Sequence, residues 1–378
     1  MRGHCFVNGV EKHVKCAYVG VNGKAQYIKR PYGVIKLGRA IEKLSTARYN
    51  LAAGEAGSRA LFGGGSGKEV SSAVDVYDTE ILTRTTATSL SEAREALVAS
   101  GWHSEYVLFC GGMNKNYSRT ATVDAYDRDL TRKTATSLSE AKSYLATVPN
   151  MRDGGALFAG GIIDADPGVS SIVDNYDHNL TRTTVANLSV GRAGLAATIV
   201  SDFVLFGGGN GPGGISSTID VYDPSLTRIT TANLSVGRYY LAAAGSSKIY
   251  HESCALFAGG IIDADPGVSS IVDAYDPNLT RRTVANLSEN KSRLVAAYLM
   301  DRQLLFAGGK TGKDNGISST VDVYDPMSLT KTTTSNLSEA RYGLAATMVG
   351  YYLLFGGGLG SDYSSAVDAY KYNFEQDD

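Results

Sequence analysis

A basic residue recurs along the chain, and it is the residue type that offers the most chemistry. Each copy follows a Leu-Ser-x-x pattern and comes just before a small apolar run such as Leu-Ala-Ala. Guanidinium and ammonium groups that converge suit the recognition of carboxylates, phosphates or acidic sugars. The other interpretation is structural, with pairing to the glutamate that precedes four of these residues or to loop carbonyls. The seven cations are Arg48, Arg94, Lys142, Arg192, Arg238, Lys291 and Arg341.

Acidic residues offer weaker candidates. The loops 164–168 and 263–267 carry Asp-x-Asp, which could ligate calcium, but acidic turns of this composition are usually only turns. A different aspartate occurs in the Val/Ile-Asp-x-Tyr pattern of every repeat. A residue repeated in this way indicates a structural hydrogen bond. His4, Cys5, His13 and Cys16 could be read as a zinc set, but their spacing fits no strong zinc signature. We therefore expect neither a metal nor a cofactor.

Catalytic patterns are missing from the sequence. The five histidines are scattered, and the sequence contains neither a Ser-His-Asp context nor Gly-x-Ser-x-Gly. The Ser-x-Asp-x-Gly-x-Thr-Trp boxes of propeller sialidases are also absent. The sequence therefore predicts a protein that is not an enzyme.

Four short strand-like segments carry these residues in each repeat. The first is the small apolar run after the cation, and the second is an apolar triplet that ends in Phe. A Gly-Gly pair and a variable loop follow, and then come Val/Ile-Asp-x-Tyr and Leu-Thr-(Arg/Lys)-x-Thr. The phenylalanines recur 47 to 51 residues apart, from Phe62 to Phe355. A period near 50 with four strands predicts an all-β, seven-bladed β-propeller of four-stranded blades over residues 33–374. Strand direction places the cations around the mouth of the central channel, among the variable loops.

The seventh repeat lacks its fourth strand, and the chain ends soon afterwards. Residues 37–48 resemble the segment from Leu180 to Arg192, so we expect an N-terminal strand near 37–44 to complete the last blade. The alternative is six blades with a ragged end. Residues 156–189 and 255–288 differ at only three positions, which indicates blade duplication.

Composition narrows the possible partners and location. The 36 basic and 38 acidic residues nearly balance, which argues against binding nucleic acid or a membrane surface through gross charge. Four irregularly spaced cysteines make a disulfide framework improbable. We find neither a signal peptide nor an apolar run of 18 residues, so we expect synthesis in the cytoplasm without membrane insertion.

The repeat resembles the Kelch repeat over residues 33 to 372, through its Gly-Gly pair, its downstream Tyr-Asp and its basic residue. The outer-strand tryptophan of Kelch repeats is missing, and Trp102 lies elsewhere. The resemblance implies that partners bind on the loop-bearing face and that the equivalent cations can hold acidic ligands.

Residues 1–32 fall outside the repeats and contain Val-Asn-Gly twice, at 7–9 and 21–23. Asn-Gly between alternating residues predicts β-hairpins. The segment resembles short modules of phage and prophage tail-associated proteins, which implies an anchor to a particle; residues 375–378 form an acidic tail.

These patterns together favour a non-enzymatic propeller, a component of a phage or phage-like particle that recognises a cell-surface glycan or protein. The alternative is an intracellular bacterial scaffold for protein–protein interactions, and the third hypothesis is a carbohydrate-active enzyme.

Overall fold

The structure is a computed structural model in which the described part of the chain consists of β-strands, turns and loops. It describes residues 33–79, 81–101, 105–150, 155–246, 253–265, 267–300, 303–312 and 316–373, and the backbones of four earlier strands. These four strands form two antiparallel hairpins, β1 (Gly3–Val7) with β2 (Val10–Val14) and β3 (Ala17–Val21) with β4 (Lys24–Ile28). The Asn-Gly pairs that connect them, Cys16 and the tail 375–378 lie outside the described residues.

Seven four-stranded antiparallel sheets follow, which confirms the predicted seven-bladed propeller. In the first blade, the strands from the channel outwards are β6 (Ala52–Ala56), β7 (Arg59–Gly63), β8 (Val74–Asp78) and β9 (Arg84–Thr86). The inner strand is rich in alanine and glycine because seven such strands crowd around one axis. The second strand is apolar and buried, since it lies between neighbouring blades.

The other blades repeat this order. Blade 2 contains β10 (Val98–Ser100), β11 (Tyr106–Cys110), β12 (Val123–Asp127) and β13 (Arg132–Thr134). Blade 3 contains β14 (Ala146–Asn150), β15 (Gly155–Ala159), β16 (Val173–Tyr176) and β17 (Arg182–Thr184). Blade 4 contains β18 (Ala196–Val200), β19 (Phe203–Gly207), β22 (Ile219–Tyr222) and β23 (Arg228–Thr230), with a loop hairpin of β20 (Asn210–Gly211) and β21 (Gly214–Ile215).

Blade 5 contains β24 (Ala242–Gly245), β25 (Ala255–Ala258), β26 (Val272–Tyr275) and β27 (Arg281–Thr283). Blade 6 contains β29 (Val295–Leu299), β30 (Gln303–Ala307), β32 (Val321–Tyr324) and β33 (Lys331–Thr333), and β28 (Lys291–Ser292) pairs with β31 (Lys310–Thr311) in its loops. Blade 7 contains β34 (Ala345–Val349), β35 (Tyr352–Gly356), β36 (Val367–Asn373) and β5 (Gly33–Lys36).

The hydrophobic core lies between adjacent blades. In each blade the phenylalanine of the second strand packs edge-to-face on the tyrosine of the third, as Phe62 does on Tyr77 at 5.8 Å between ring centroids. Both residues join Leu354 and Ala369 of blade 7 in one buried cluster, so the seam between the last and first blades is packed like the others.

The seventh blade is completed from the N-terminal side, but four residues earlier than predicted. The strand is Gly33–Lys36 rather than a segment near 37–44. In blade 3 a cation on the fourth strand pairs with the aspartate of the third strand: Arg182 Nη1 lies 3.1 Å from Asp174 Oδ1. Lys36 has this role in blade 7, where it is the register partner of Tyr370 and its Nζ lies 2.7 Å from Asp368 Oδ1. The prediction aligned Leu37 with Leu180 and therefore placed the strand too late in the sequence. Leu180 lies in the turn that joins the third and fourth strands of blade 3. Blade 7 has no such turn, because its fourth strand comes from the N-terminal side of the chain.

The two ends of the propeller differ in what they carry. The loops between second and third strands, which begin at Gly-Gly, form what we call the loop face; the turns between inner and second strands lie on the opposite, turn face. Glycine is required at the loop face because a Cβ on Gly111, whose φ is +63°, would lie 2.5 Å from the carbonyl oxygen of Lys142. Gly33 and Asn373 are register partners at the turn-face end, so the chain enters and leaves the propeller there.

Candidate functional site

The seven predicted cations are fully buried. Each lies within 2.5–3.2 Å of the aspartate in the third strand of its own blade. The pairs are Arg48–Asp75, Arg94–Asp124, Lys142–Asp174, Arg192–Asp220, Arg238–Asp273, Lys291–Asp322 and Arg341–Asp368.

Each of these aspartates has a second cation on the outer strand. Asp220, for example, accepts hydrogen bonds from Arg228 at 3.1 Å and from the backbone N–H of Ser189 at 3.1 Å, in addition to its ion pair with Arg192 at 2.8 Å. Burial lowers the pKa of Arg192, and the charge of Asp220 opposes that shift. Asp220 therefore links the segment that leads from blade 3 into blade 4, through Ser189 and Arg192, to the sheet of blade 4.

The expectation that these cations surround the channel mouth as available groups needs correction. Arg48, Arg94, Lys142, Arg192, Arg238, Lys291 and Arg341 extend into the blades because the Val/Ile-Asp-x-Tyr carboxylate lies there. The preceding glutamates are not their main partners: Glu140 and Glu289 accept from the hydroxyls of Ser170 and Ser318. A ligand role for the seven cations stays a prediction, and it would require these buried pairs to separate.

The mouth itself is lined by the residue two positions after each cation. The backbone N–H of each of these residues donates to the carbonyl of its counterpart in the preceding blade, at 2.8–3.2 Å, and the seven bonds form a closed circle. In order they are Asn50, Ala96, Tyr144, Gly194, Tyr240, Arg293 and Gly343.

We call these seven residues at the channel mouth the ring residues. All seven have a positive φ, between +50° and +65°. This conformation costs free energy for any residue with a side chain, most of all for bulky ones such as Tyr144, Tyr240 and Arg293. Strained backbone of this kind concentrates at functional sites. The residue type at this position also differs from blade to blade.

Several ring side chains form one connected group. The Arg293 guanidinium lies 4.2 Å from the ring centroid of Tyr240, which packs edge-to-face on Tyr144 at 5.7 Å. Asn50 Nδ2 donates to Tyr144 Oη at 3.5 Å and to Glu95 Oε2 at 3.3 Å. Burial raises the pKa of Tyr144 to about 12, so its hydroxyl is protonated at neutral pH. This group offers an aromatic surface with donors and acceptors at its edges.

A second aromatic group borders the mouth. Tyr49 packs against Tyr363 at 5.9 Å and against Tyr342 at 6.5 Å, and the Lys310 ammonium lies 6.0 Å from the Tyr342 ring centroid. The glycine at position 343 leaves room for this group, since a Cβ there would lie 3.3 Å from Tyr49 Cδ2. Together the ring residues line a cavity of about 270 Å³ at the loop face.

Sequence reasoning missed these residues because it followed what repeats. A signal was nevertheless present: the position two residues after the cation holds five residue types in seven blades, between a constant cation and a constant leucine.

Two comparisons with known proteins find nothing: no family model matches the sequence, and no curated protein matches it. Among solved structures, the chain is similar to one described as the structure of YjhT, with a TM-score of 0.61 and 14% sequence identity. The match covers 78% of this chain and 99% of that one. What the two share is the fold.

The first Asp-x-Asp loop does not line the mouth cavity. Asp164 of the first Asp-x-Asp loop pairs with Arg119 at 2.6 Å. Among the described residues, no group of three or more His, Cys, Asp or Glu side chains could hold a metal ion. The proposed zinc set lies where side chains are not described. No helix in the described part of the chain is long and apolar enough to cross a membrane.

Proposed function

We propose that the protein is a non-enzymatic binding module of Kelch-like type, and that the mouth of its channel at the loop face recognises a glycan. The observation that carries this proposal is the group formed by Arg293, Tyr240, Tyr144, Asn50 and Glu95, held on strained backbone around a cavity. A propeller fold is consistent with a binding or structural role.

The chemistry of the mouth suits a sugar. Tyrosine rings offer flat apolar faces to the C–H bonds of a pyranose, and their hydroxyls remain available for hydrogen bonds. The Asn50 amide, the Glu95 carboxylate and the Arg293 guanidinium add donors and acceptors within the same group. The ligand would meet side chains already held in place by the hydrogen-bonded ring, which reduces the entropy lost on binding.

A glycan array tests this proposal. The wild type is compared with Tyr240→Ala and Arg293→Ala, and Tyr351→Ala serves as the matched control because this exposed tyrosine stands in a turn on the turn face. We expect the two mouth variants to lose at least about tenfold in affinity, or about 1.4 kcal/mol, and the control to bind like the wild type. Binding that survives both mouth variants would overturn the assignment of the site.

We further propose that residues 1–32 attach the propeller to a phage or phage-like particle. Two observations support this: the segment contains two hairpins with Val-Asn-Gly sequences, and the propeller receives it at Gly33, at the end opposite the mouth. Attachment at that end would leave the loop face free.

The test is sedimentation with particles from the producing cells. The full chain should sediment with them, and a chain that begins at residue 33 should stay in the supernatant while it retains glycan binding. If the full chain also stays in the supernatant, the intracellular scaffold becomes the better hypothesis.

A further inference from the structure

The turn-face half of the channel contains a second cavity, of about 200 Å³, lined by the inner strands of all seven blades. Its walls are mostly small or apolar, with Ala53, Ala197, Ile199 and Met348 among them. One charged side chain lies among the lining residues, Glu55 near the end of β6.

Glu55 is singular among the blades. It stands four residues after the leucine that immediately precedes each inner strand, and the equivalent residues in the other six blades are uncharged. They are Gly101, Pro149, Ile199, Gly245, Tyr298 and Met348. The fold therefore does not need a carboxylate here.

The carboxylate is also buried, and none of the described side chains pairs with it. Glu55 is 6% exposed, and it has neither a hydrogen bond nor an ion pair with any side chain that the structure describes. Arg59, which faces Ala56 on the neighbouring strand, donates instead to the backbone oxygen of Arg128. Burial raises the pKa of Glu55 to about 7, and no charge among the described residues opposes the shift. An ionised carboxylate in this position lacks a counter-charge among the side chains that are described.

The surroundings decide which cation would fit. An inorganic cation such as Ca²⁺ takes six to eight oxygen ligands and favours carboxylates, whereas the described lining offers one carboxylate and the hydroxyls of Ser100, Thr147, Thr198 and Thr347 among small and apolar residues. An ammonium group needs one carboxylate and a few hydrogen-bond acceptors, and an attached apolar group would fill the remaining space. A cavity of ~150 Å³ holds benzene, so a cavity of this size can hold a small aromatic or branched amine.

We propose that the turn-face half of the channel is a binding site for a small organic amine, whose ammonium group pairs with Glu55 and whose apolar part packs against the inner strands. The site is independent of the glycan site at the loop face, because the two cavities lie at opposite ends of the channel.

Isothermal titration with benzylamine tests the proposal on the full chain, with benzyl alcohol as the neutral probe of similar shape. At pH 8 we expect benzylammonium to bind the wild type about tenfold or more tightly than it binds Glu55→Gln. Benzyl alcohol should bind both proteins equally weakly. The matched control is Asp129→Asn, which removes a carboxylate from an exposed turn and should leave the affinity for benzylamine unchanged.

The protonation of Glu55 gives a second readout. Benzylamine stays protonated from pH 5.5 to 8, so its affinity for the wild type should rise with pH as Glu55 ionises, and its affinity for Glu55→Gln should stay constant. At pH 6 the wild type should release protons on binding, seen as an enthalpy that depends on the buffer. Equal affinity in wild type and Glu55→Gln, or no binding at millimolar benzylamine, would overturn the proposal. The glycan array result is unaffected by either outcome.

Discussion

The backbone N–H of Asn50 donates to the carbonyl oxygen of Gly343 at 2.8 Å, and this bond links the first blade to the seventh at the channel mouth. It completes the circle of seven hydrogen bonds, in which each of the six remaining bonds joins two blades that are consecutive in sequence. The outer rim is closed separately, by the pairing of Gly33–Lys36 with β36. The propeller is therefore closed at both its inner and its outer rim, by chain segments far apart in sequence.

The outer closure can be tested by removing one backbone donor. Leu37 N–H donates to Ala369 O, and alternate residues of an edge strand face the same way, so the N–H of Ile35 also faces β36. Ile35→Pro should lower the free energy of unfolding by about 1–3 kcal/mol and raise hydrogen exchange in residues 367–373. Val34→Pro is the matched control, because the N–H of Val34 faces away from β36. Equal effects of the two prolines would mean that the strand does not close the ring.

The buried ion pairs should be needed for stability. Asp220→Ala leaves Arg192 without its counter-charge inside the blade, and we expect a loss of about 3–5 kcal/mol in the free energy of unfolding, measured by denaturant titration. The double variant Arg192→Met/Asp220→Ala should lose less than Asp220→Ala, since no isolated charge remains. Asp129→Ala, in an exposed turn, serves as the control and should unfold like the wild type. A double variant less stable than Asp220→Ala would contradict this interpretation.

The backbone strain of the ring residues predicts opposite changes in the free energy of unfolding for two substitutions. Ala96 has a φ of +53°, which glycine adopts without penalty, so Ala96→Gly should raise the free energy of unfolding by about 0.5–1 kcal/mol. The reverse change, Gly343→Ala, places a Cβ 3.0 Å from Asn50 Oδ1 at a φ of +62° and should destabilise the protein. Thermal unfolding of both variants checks this pair. Destabilisation by Ala96→Gly would show that the ring is not strained there.

The repeat made the architecture predictable, because each strand carries a residue whose spacing reports its place: the phenylalanine, the aspartate, the tyrosine and the cation. The sequence predicted the position of the cations in the repeat but not their burial, because it does not show that Asp75 and Arg48 meet inside one blade. A search for repetition did not find the mouth residues, because Asn50, Tyr144 and Arg293 share a backbone conformation rather than a residue type. That conformation follows from the circular hydrogen bonding of seven blades, which no single repeat encodes.

The stability of the protein should depend on pH through Glu55, and the direction follows from its pKa. The folded state holds the proton up to about pH 7, whereas an unfolded glutamate loses it near pH 4.5. The folded state therefore binds the proton more tightly, and the contribution of Glu55 to stability is fully present below pH 4.5 and decreases as pH rises from there to 7. The decrease amounts to about 3 kcal/mol and levels off above pH 7.

The variant Glu55→Gln isolates this contribution, because an amide of nearly the same shape cannot ionise and all other groups titrate alike in both proteins. The difference in free energy of unfolding between Glu55→Gln and the wild type should grow in favour of the variant between pH 5 and pH 8, as measured by denaturant titration at half-unit steps. Saturating benzylamine at pH 8 should reduce that difference, since the ammonium supplies a counter-charge to the ionised carboxylate. A difference that stays constant with pH would mean that Glu55 is ionised in the folded state throughout this range, with a counter-charge already beside it.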